Sequence, residues 1–254
     1  MPVLRVEEVD VRFGGIHAVQ GVDLDADAGY VTGLIGPNGA GKTTTFNVIT
    51  GLQTPTAGHV FLDDRDVTEM KAHQRARLGV ARTFQRLEVF GSLTARDNIL
   101  VAAEIRRSWS RDGSDPRAIT EEILDRVGIR SIADDRVDAM PTGMARLVEL
   151  GRALATQPRL LLLDEAGSGL DHEESQVLGD LLLELAADGL ALLLVEHDVE
   201  LVMRVCSRIH VLDFGRIIAA GTPAEIQADP VVQAAYLGAA DAALHDEEQE
   251  EALA

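Results

Sequence analysis

The segment Leu34-Ile35-Gly36-Pro37-Asn38-Gly39-Ala40-Gly41-Lys42-Thr43-Thr44 contains the pattern G-x-x-x-x-G-K-S/T. It follows the apolar run Val31–Ile35 and precedes a helix-like stretch, the context in which this pattern builds a loop that holds phosphate. Gly39 and Gly41 permit backbone angles and a close approach that side chains would block. Successive N–H groups then turn inward as an anion nest, and a helix beginning near Gly41 adds the positive end of its dipole. Lys42 offers a charge to the outer phosphates, and Thr43 an oxygen to Mg²⁺. The only lysines in the chain are Lys42 and Lys71, so a lysine at this spacing stands out.

Downstream of this loop the chain reads βαβα. Leu160–Leu163 is wholly apolar, as is Ala191–Val195, and strands this apolar belong to a parallel sheet covered on both faces. Between them Val177, Leu178, Leu181, Leu182 and Leu185 form the expected buried stripe of a helix. The first strand ends in Asp164-Glu165. A strand-end carboxylate suits Mg²⁺ held through water, and its neighbour suits orienting or deprotonating the attacking water. Ser168-Gly169-Leu170-Asp171 then makes a turn before a helix, and Asp171 also reads as an ordinary N-cap. Glu196-His197-Asp198 ends the second strand, where His197 lies on the ligand side of a parallel sheet or serves as a capping histidine.

Towards the N-terminus the chain reads as strands and tight turns. Leu4, Val6, Val9 and Val11 alternate in part over Val3–Phe13, and His59–Leu62 is a further short strand. Phe13 suits stacking on an adenine ring or filling a core. Gln85, at the end of Arg82-Thr83-Phe84-Gln85, can bind Mg²⁺ or water without adding charge. The middle changes character: Thr94–Ile105, Ala118–Val127 and Thr142–Ala155 have helical spacing, with a loop over 108–116.

Composition narrows the class. The chain has 254 residues, is 46% hydrophobic and 26% charged, and so has enough apolar material for a packed core. Its single cysteine, Cys206, excludes a disulfide framework and a cysteine-based zinc site. A net charge of −19 argues against nucleic-acid partners. No apolar run approaches the ~20 residues of a membrane span, and the first residues, MPVLRVEEVD, show no signal peptide. Residues 239–254 hold six acids and no lysine or arginine, and read as an acidic tail.

In this order the motifs resemble the nucleotide-binding subunit of an ABC transporter over about residues 3–238. The resemblance implies a P-loop α/β fold with an antiparallel β subdomain, a mainly parallel core sheet and a helical signature subdomain at about 92–157. It implies an ATPase domain over 1–238. Gly36–Thr44 would be its phosphate loop and Gln85 its Q-loop glutamine. Asp164 would be the Mg²⁺ carboxylate and Glu165 the catalytic glutamate. Ser168–Asp171 would form the D-loop, His197 the switch histidine and Phe13 the adenine-stacking aromatic. The wording VRFGGIHAVQGVDLDADAG, ARTFQ and GTPAEIQADPVVQAAYLG is similar to the branched-chain (hydrophobic) amino acid uptake ATPases.

The implied protein binds and hydrolyses ATP with Mg²⁺ and energises a membrane importer. It docks on transmembrane permease subunits from the cytoplasmic face of the membrane and serves a solute-binding protein indirectly. Leu87, Val89 and Phe90 are expected either as permease contacts or as core. An exporter or lipid-transport ATPase, or a low-turnover regulatory subunit, are the alternatives. The match fails at the signature, an L-S-G-G-Q-like segment that contacts the facing subunit's ATP. Here Met140-Pro141-Thr142-Gly143-Met144 stands in that slot, with Pro141 for the serine and Met144 for the glutamine. We therefore expect a heterodimer with a second ABC ATPase chain whose signature is intact, a homodimer being the other arrangement.

Overall fold

The computed structural model describes residues 2–236; the acidic stretch 239–254 lies outside the described residues. Two sheets divide the chain. The first has the order β2-β1-β4-β5 and is antiparallel, from β1 (Pro2–Phe13), β2 (Ile16–Asp27), β4 (Ala57–Leu62) and β5 (Arg65–Asp66). Leu4, Val6, Val9 and Val11 are all buried although two residues separate Val6 from Val9. The pairing register shifts there and Glu8 takes φ 46°, so a bulge restores the inward face after the alternation breaks.

The second sheet has the order β10-β9-β3-β8-β7-β6. Its strands are β3 (Val31–Ile35), β6 (Val80–Arg82), β7 (Leu160–Asp164), β8 (Ala191–Val195), β9 (Arg208–Asp213) and β10 (Arg216–Gly221). All neighbours are parallel except β10, which returns antiparallel to β9. Every residue of β3, β7 and β8 is buried. Alternate side chains enter two cores: Leu161, Leu163, Leu192 and Leu194 join the one beneath the helical region. Leu160, Leu162, Leu193 and Val195 join the one shared with the antiparallel sheet. The apolar runs thus form the common wall of two cores, as continuous hydrophobic strands must.

Helices cover this wall. They are α1 (Lys42–Thr50), α2 (Ala72–Arg77), α3 (Ala95–Trp109), α4 (Pro116–Arg126), α5 (Thr142–Leu154), α6 (His172–Ala187), α7 (Val199–Val205) and α8 (Pro223–Ala228). Thr94 caps α3 by accepting the Asp97 N–H, and Asp115 caps α4 ahead of Pro116. The loop expected over 108–116 is shorter than its composition suggested, because α3 runs on through Trp109. On α6, Leu178, Leu181, Leu182 and Leu185 are buried, but Val177 is 65% exposed and does not belong to the stripe. Val177 and Leu178 are adjacent, about 100° apart around the helix, and only one of them falls within the buried arc.

Two buried side chains, Arg75 and Cys206, tie helices to their neighbours. The Arg75 guanidinium donates to the Val48 and Ile49 carbonyls at 2.7 and 2.8 Å and to that of Thr68 at 2.8 Å. It thereby caps the negative end of α1, and burial pulls it down to about 10. Cys206, at the end of α7, packs against Gly33 of β3, and burial pushes its thiol up to about 12.

Candidate active site

The C-terminal ends of β3, β6, β7 and β8 face the same edge of the parallel sheet, where ligands bind in such sheets. The loop after β3 wraps into α1 with Gly39 at φ 78° and Gly41 at φ 109°. A Cβ on Gly41 would lie 2.6 Å from the Ala18 carbonyl oxygen, so only glycine lets the loop pass so close to β2. Among the described residues, the N–H groups of Gly39, Gly41 and Lys42 find no carbonyl acceptor. Free donors at a helix start, with no side-chain cap on Gly41, are a cradle suited to an anion.

A cavity of about 270 Å³ opens over this cradle, lined by Ala18, Asn38 to Thr44, Gln85, Asp164, Glu165, Val195 and His197. Lys42 is buried at its floor and donates from Nζ to the Gly36 and Pro37 carbonyls at 2.6 and 2.9 Å. Desolvation lowers the Lys42 ammonium from its ordinary value, while Glu165 and then Asp164 oppose that shift. The ammonium is thus held centrally, with two carboxylates beyond it.

Asp164 is buried at the end of β7. Its N–H donates to Thr83 Oγ1 at 3.1 Å, and its Oδ2 accepts from Arg82 at 2.7 Å. Thr43, Gln85 and Asp164 supply oxygens to the same cavity, a hard donor set that fits Mg²⁺. Among the described residues no cluster of three or more His, Cys, Asp or Glu could hold a metal unaided. A metal here would therefore share phosphate oxygens and water with few protein ligands.

Glu165 takes a left-handed backbone, φ 54°, and its N–H donates to the Val195 carbonyl at 2.9 Å. The bend turns its side chain out of the strand, where Oε1 lies 3.0 Å from His197 Nε2. A histidine that touches this carboxylate can orient it and carry a proton beside it. Glu196, whose role the sequence did not suggest, is buried and accepts the Gly167 N–H at 2.6 Å. It fixes the turn Ser168–Asp171 from beneath, and burial raises its carboxyl. Asp171 is the N-cap of α6, in a reciprocal capping box with Glu174.

Other expected residues stand apart from the cavity. Phe13 is at the tip of the β1–β2 hairpin, 49% exposed, and does not line it. Pro141 is the N-cap of α5 and offers no side-chain cap. Thr142 is exposed; Met144 instead packs on the core beneath the helices. Gly143 is buried under the D-loop, since a Cβ there would lie 2.6 Å from Leu170 Cδ2. Leu87 and Val89 pack on that core too, while Phe90 is exposed with the Arg152 guanidinium 4.6 Å from its ring centre.

No motif in the sequence foretells how the segment after β6 is held. On α5, Glu149 Oε1 accepts the Glu88 N–H at 3.1 Å and the Phe84 N–H at 3.3 Å. Arg146 donates to the carbonyls of Phe84 (2.6 Å) and Gln85. The helix capped by Pro141, α5, therefore grips the backbone that carries Gln85.

Known proteins resemble this chain in sequence and fold. The ABC transporter family profile matches residues 19–168. The profile of the branched-chain amino acid ATP-binding cassette transporter matches residues 216–242. The high-affinity branched-chain amino acid transport ATP-binding protein LivG of Escherichia coli K12 is 38% identical over 252 residues, spanning 94% of this chain and 99% of that protein. BraF of Pseudomonas aeruginosa, of the same description, is 36% identical with the same coverage. Among solved structures, an ATP-binding cassette of an ABC transporter in its ADP conformation superposes with TM-score 0.82 at 29% identity, over 94% of this chain and 99% of that one.

Proposed function

The chain belongs to the ABC transporter family of ATP-binding cassettes, which are ATPases, and on that premise we propose that its ATP hydrolysis drives uptake of branched-chain or other hydrophobic amino acids through a membrane permease. The observation that carries this reading is the convergence of Lys42, Gln85, Asp164, Glu165 and His197 on one cavity above a cradle of free N–H groups. The match over residues 216–242 and the identity to LivG and BraF support the solute class.

In this reading the nest Gly36–Thr44 and Lys42 bind the nucleotide's phosphates, and Phe13 stacks on its base. Thr43, Gln85 and Asp164 hold Mg²⁺, which neutralises phosphate charge when bound. Glu165 orients and deprotonates the attacking water, with His197 positioning its carboxylate. Pro141, Thr142 and Gly143 present the start of α5 to the ATP of a facing subunit, and Ser168–Asp171 lie beside them. The ATPase domain covers residues 1–238, with α3, α4 and α5 packed on one another as its helical subdomain. Among the described residues no helix is long and apolar enough to cross a membrane. Permease subunits supply the pathway in this reading. The permease docks from the cytoplasmic side, at the groove near Phe90.

Two measurements test this. Glu165→Gln is expected to keep ATP binding and to lose about 10²- to 10⁴-fold in hydrolysis; hydrolysis at the wild-type rate removes Glu165 from its role. Radiolabelled leucine uptake, lost on deleting the chain from its source cell, should return with the wild type and not with Lys42→Ala. Uptake that never depends on the chain overturns the solute class.

A further inference from the structure

Arg82 ends β6, three residues before Gln85 in the stretch ARTFQ, which by itself gives the arginine no role at the nucleotide site. Its side chain is only 5% exposed, and that of Asp164 only 3%. The guanidinium reaches three elements. One terminal nitrogen donates to Asn47 Oδ1 on α1 at 2.6 Å and the other to Asp164 Oδ2 on β7 at 2.7 Å. Its carbon lies 5.3 Å from the Phe46 ring centre and 4.9 Å from that of Phe84. Aromatic faces and a fixed amide oxygen leave the planar fork one orientation, which a lysine ammonium would not share.

The grip on Asp164 is one-sided. Oδ2 is held by Arg82, whereas Oδ1 takes no hydrogen bond among the described residues, although the carboxylate lines the cavity with Thr43 and Gln85. A carboxylate clamped at one oxygen presents the other in a fixed direction. Mg²⁺ demands near-ideal octahedral geometry and so is sensitive to such aim. The guanidinium and a metal would engage different oxygens and would not compete for one.

We propose that Arg82 is a positioning residue for Mg²⁺: it fixes the Asp164 carboxylate so that its free oxygen meets the hydrated metal that accompanies ATP. The proposal rests on the assignment of this cavity as a nucleotide site. Groups that hold a metal-binding side chain in place are typically worth about 10- to 100-fold in metal affinity.

The test uses the full chain carrying Glu165→Gln, to stop turnover, and a fluorescent ATP analogue titrated first in EDTA and then over a Mg²⁺ series. Arg82→Gln is expected to leave binding in EDTA within about twofold and to raise the half-saturating Mg²⁺ about 10- to 100-fold. Arg82→Lys, which keeps the charge and cannot hold Asn47 and Asp164 in one plane, should fall between. Equal weakening with and without Mg²⁺ would show a merely structural ion pair and overturn the proposal, as would an unchanged Mg²⁺ requirement in a folded variant. If Arg82→Gln gives no cooperative melt, Arg82→Lys decides: a Mg²⁺ midpoint at the parent value overturns the proposal. Failure of the parent to bind the analogue, or binding undiminished by Lys42→Ala, overturns the nucleotide site itself and Arg82's role with it.

Discussion

Glu165, the proposed catalytic base, sits on a strained backbone. At φ 54° an L-residue with a Cβ costs about 1–2 kcal/mol, which glycine would not incur. The strain accompanies the bend that sets its carboxylate 3.0 Å from His197. Two inactive variants separate strain from chemistry. Glu165→Gly is expected to be more stable than Glu165→Ala by about 1 kcal/mol in urea unfolding, although glycine is the more flexible residue when unfolded. Equal stability, or Ala the more stable, would mean that this bend is relaxed. The sequence made Glu165 legible because it adjoins an apolar strand, as it did Lys42 within its contiguous pattern. Arg82 and Glu196 were not legible. Their partners, Asp164 and Gly167, lie far along the chain, and only the parallel pairing of β6, β7 and β8 brings them together.

Among strands and helices, β9 carries an unusual member of the core. His210 is 3% exposed, and neither ring nitrogen has a hydrogen-bond partner among the described residues. Burial lowers its pKa from the ordinary 6.5; Asp25 opposes that shift and Arg208 adds to it. The folded chain thus keeps the ring neutral where the unfolded chain accepts a proton. Stability attached to this site is complete above about pH 6.5 and is lost as pH falls below it, towards the lower folded value. Thermal melts from pH 8 to pH 5 should show a steeper loss for wild type than for His210→Leu. Parallel curves would mean that the ring is solvated or partnered. Periodicity read the elements well where one rule governs a whole segment: β3 and β8 have the expected bounds. It failed where neighbours compete. Val177 lies outside the buried arc of α6, which the next residue, Leu178, enters instead.

For the molecule as a whole, the question is what completes the site. The α5 start presents Pro141, without a capping hydroxyl, and Gly143 beneath Leu170. A closed pair of identical chains would place this weakened face over both nucleotides and bring together two bodies of net charge −19. We expect the full chain carrying Glu165→Gln to stay monomeric in size-exclusion chromatography with ATP and Mg²⁺ at low micromolar concentration and near-physiological salt, where charges beyond about 8 Å are screened. Adding Pro141→Ser and Met144→Gln should permit a dimer. An ATP-dependent dimer without those changes would show that the chain needs no second kind of subunit.

The contact between Cys206 and Gly33 has a use of its own. A thiol held near 12 behind α7, against the strand that leads into the phosphate loop, is inert to disulfide reagents until that packing opens. As the chain's single cysteine, it is a built-in clock for opening events. Its labelling rate should be far below that of a free thiol. Saturating nucleotide should slow it further, by up to about a hundredfold at a hundred times the dissociation constant if every opening also releases the ligand. A rate indifferent to nucleotide would place the opening around α7 outside the unit that holds ATP.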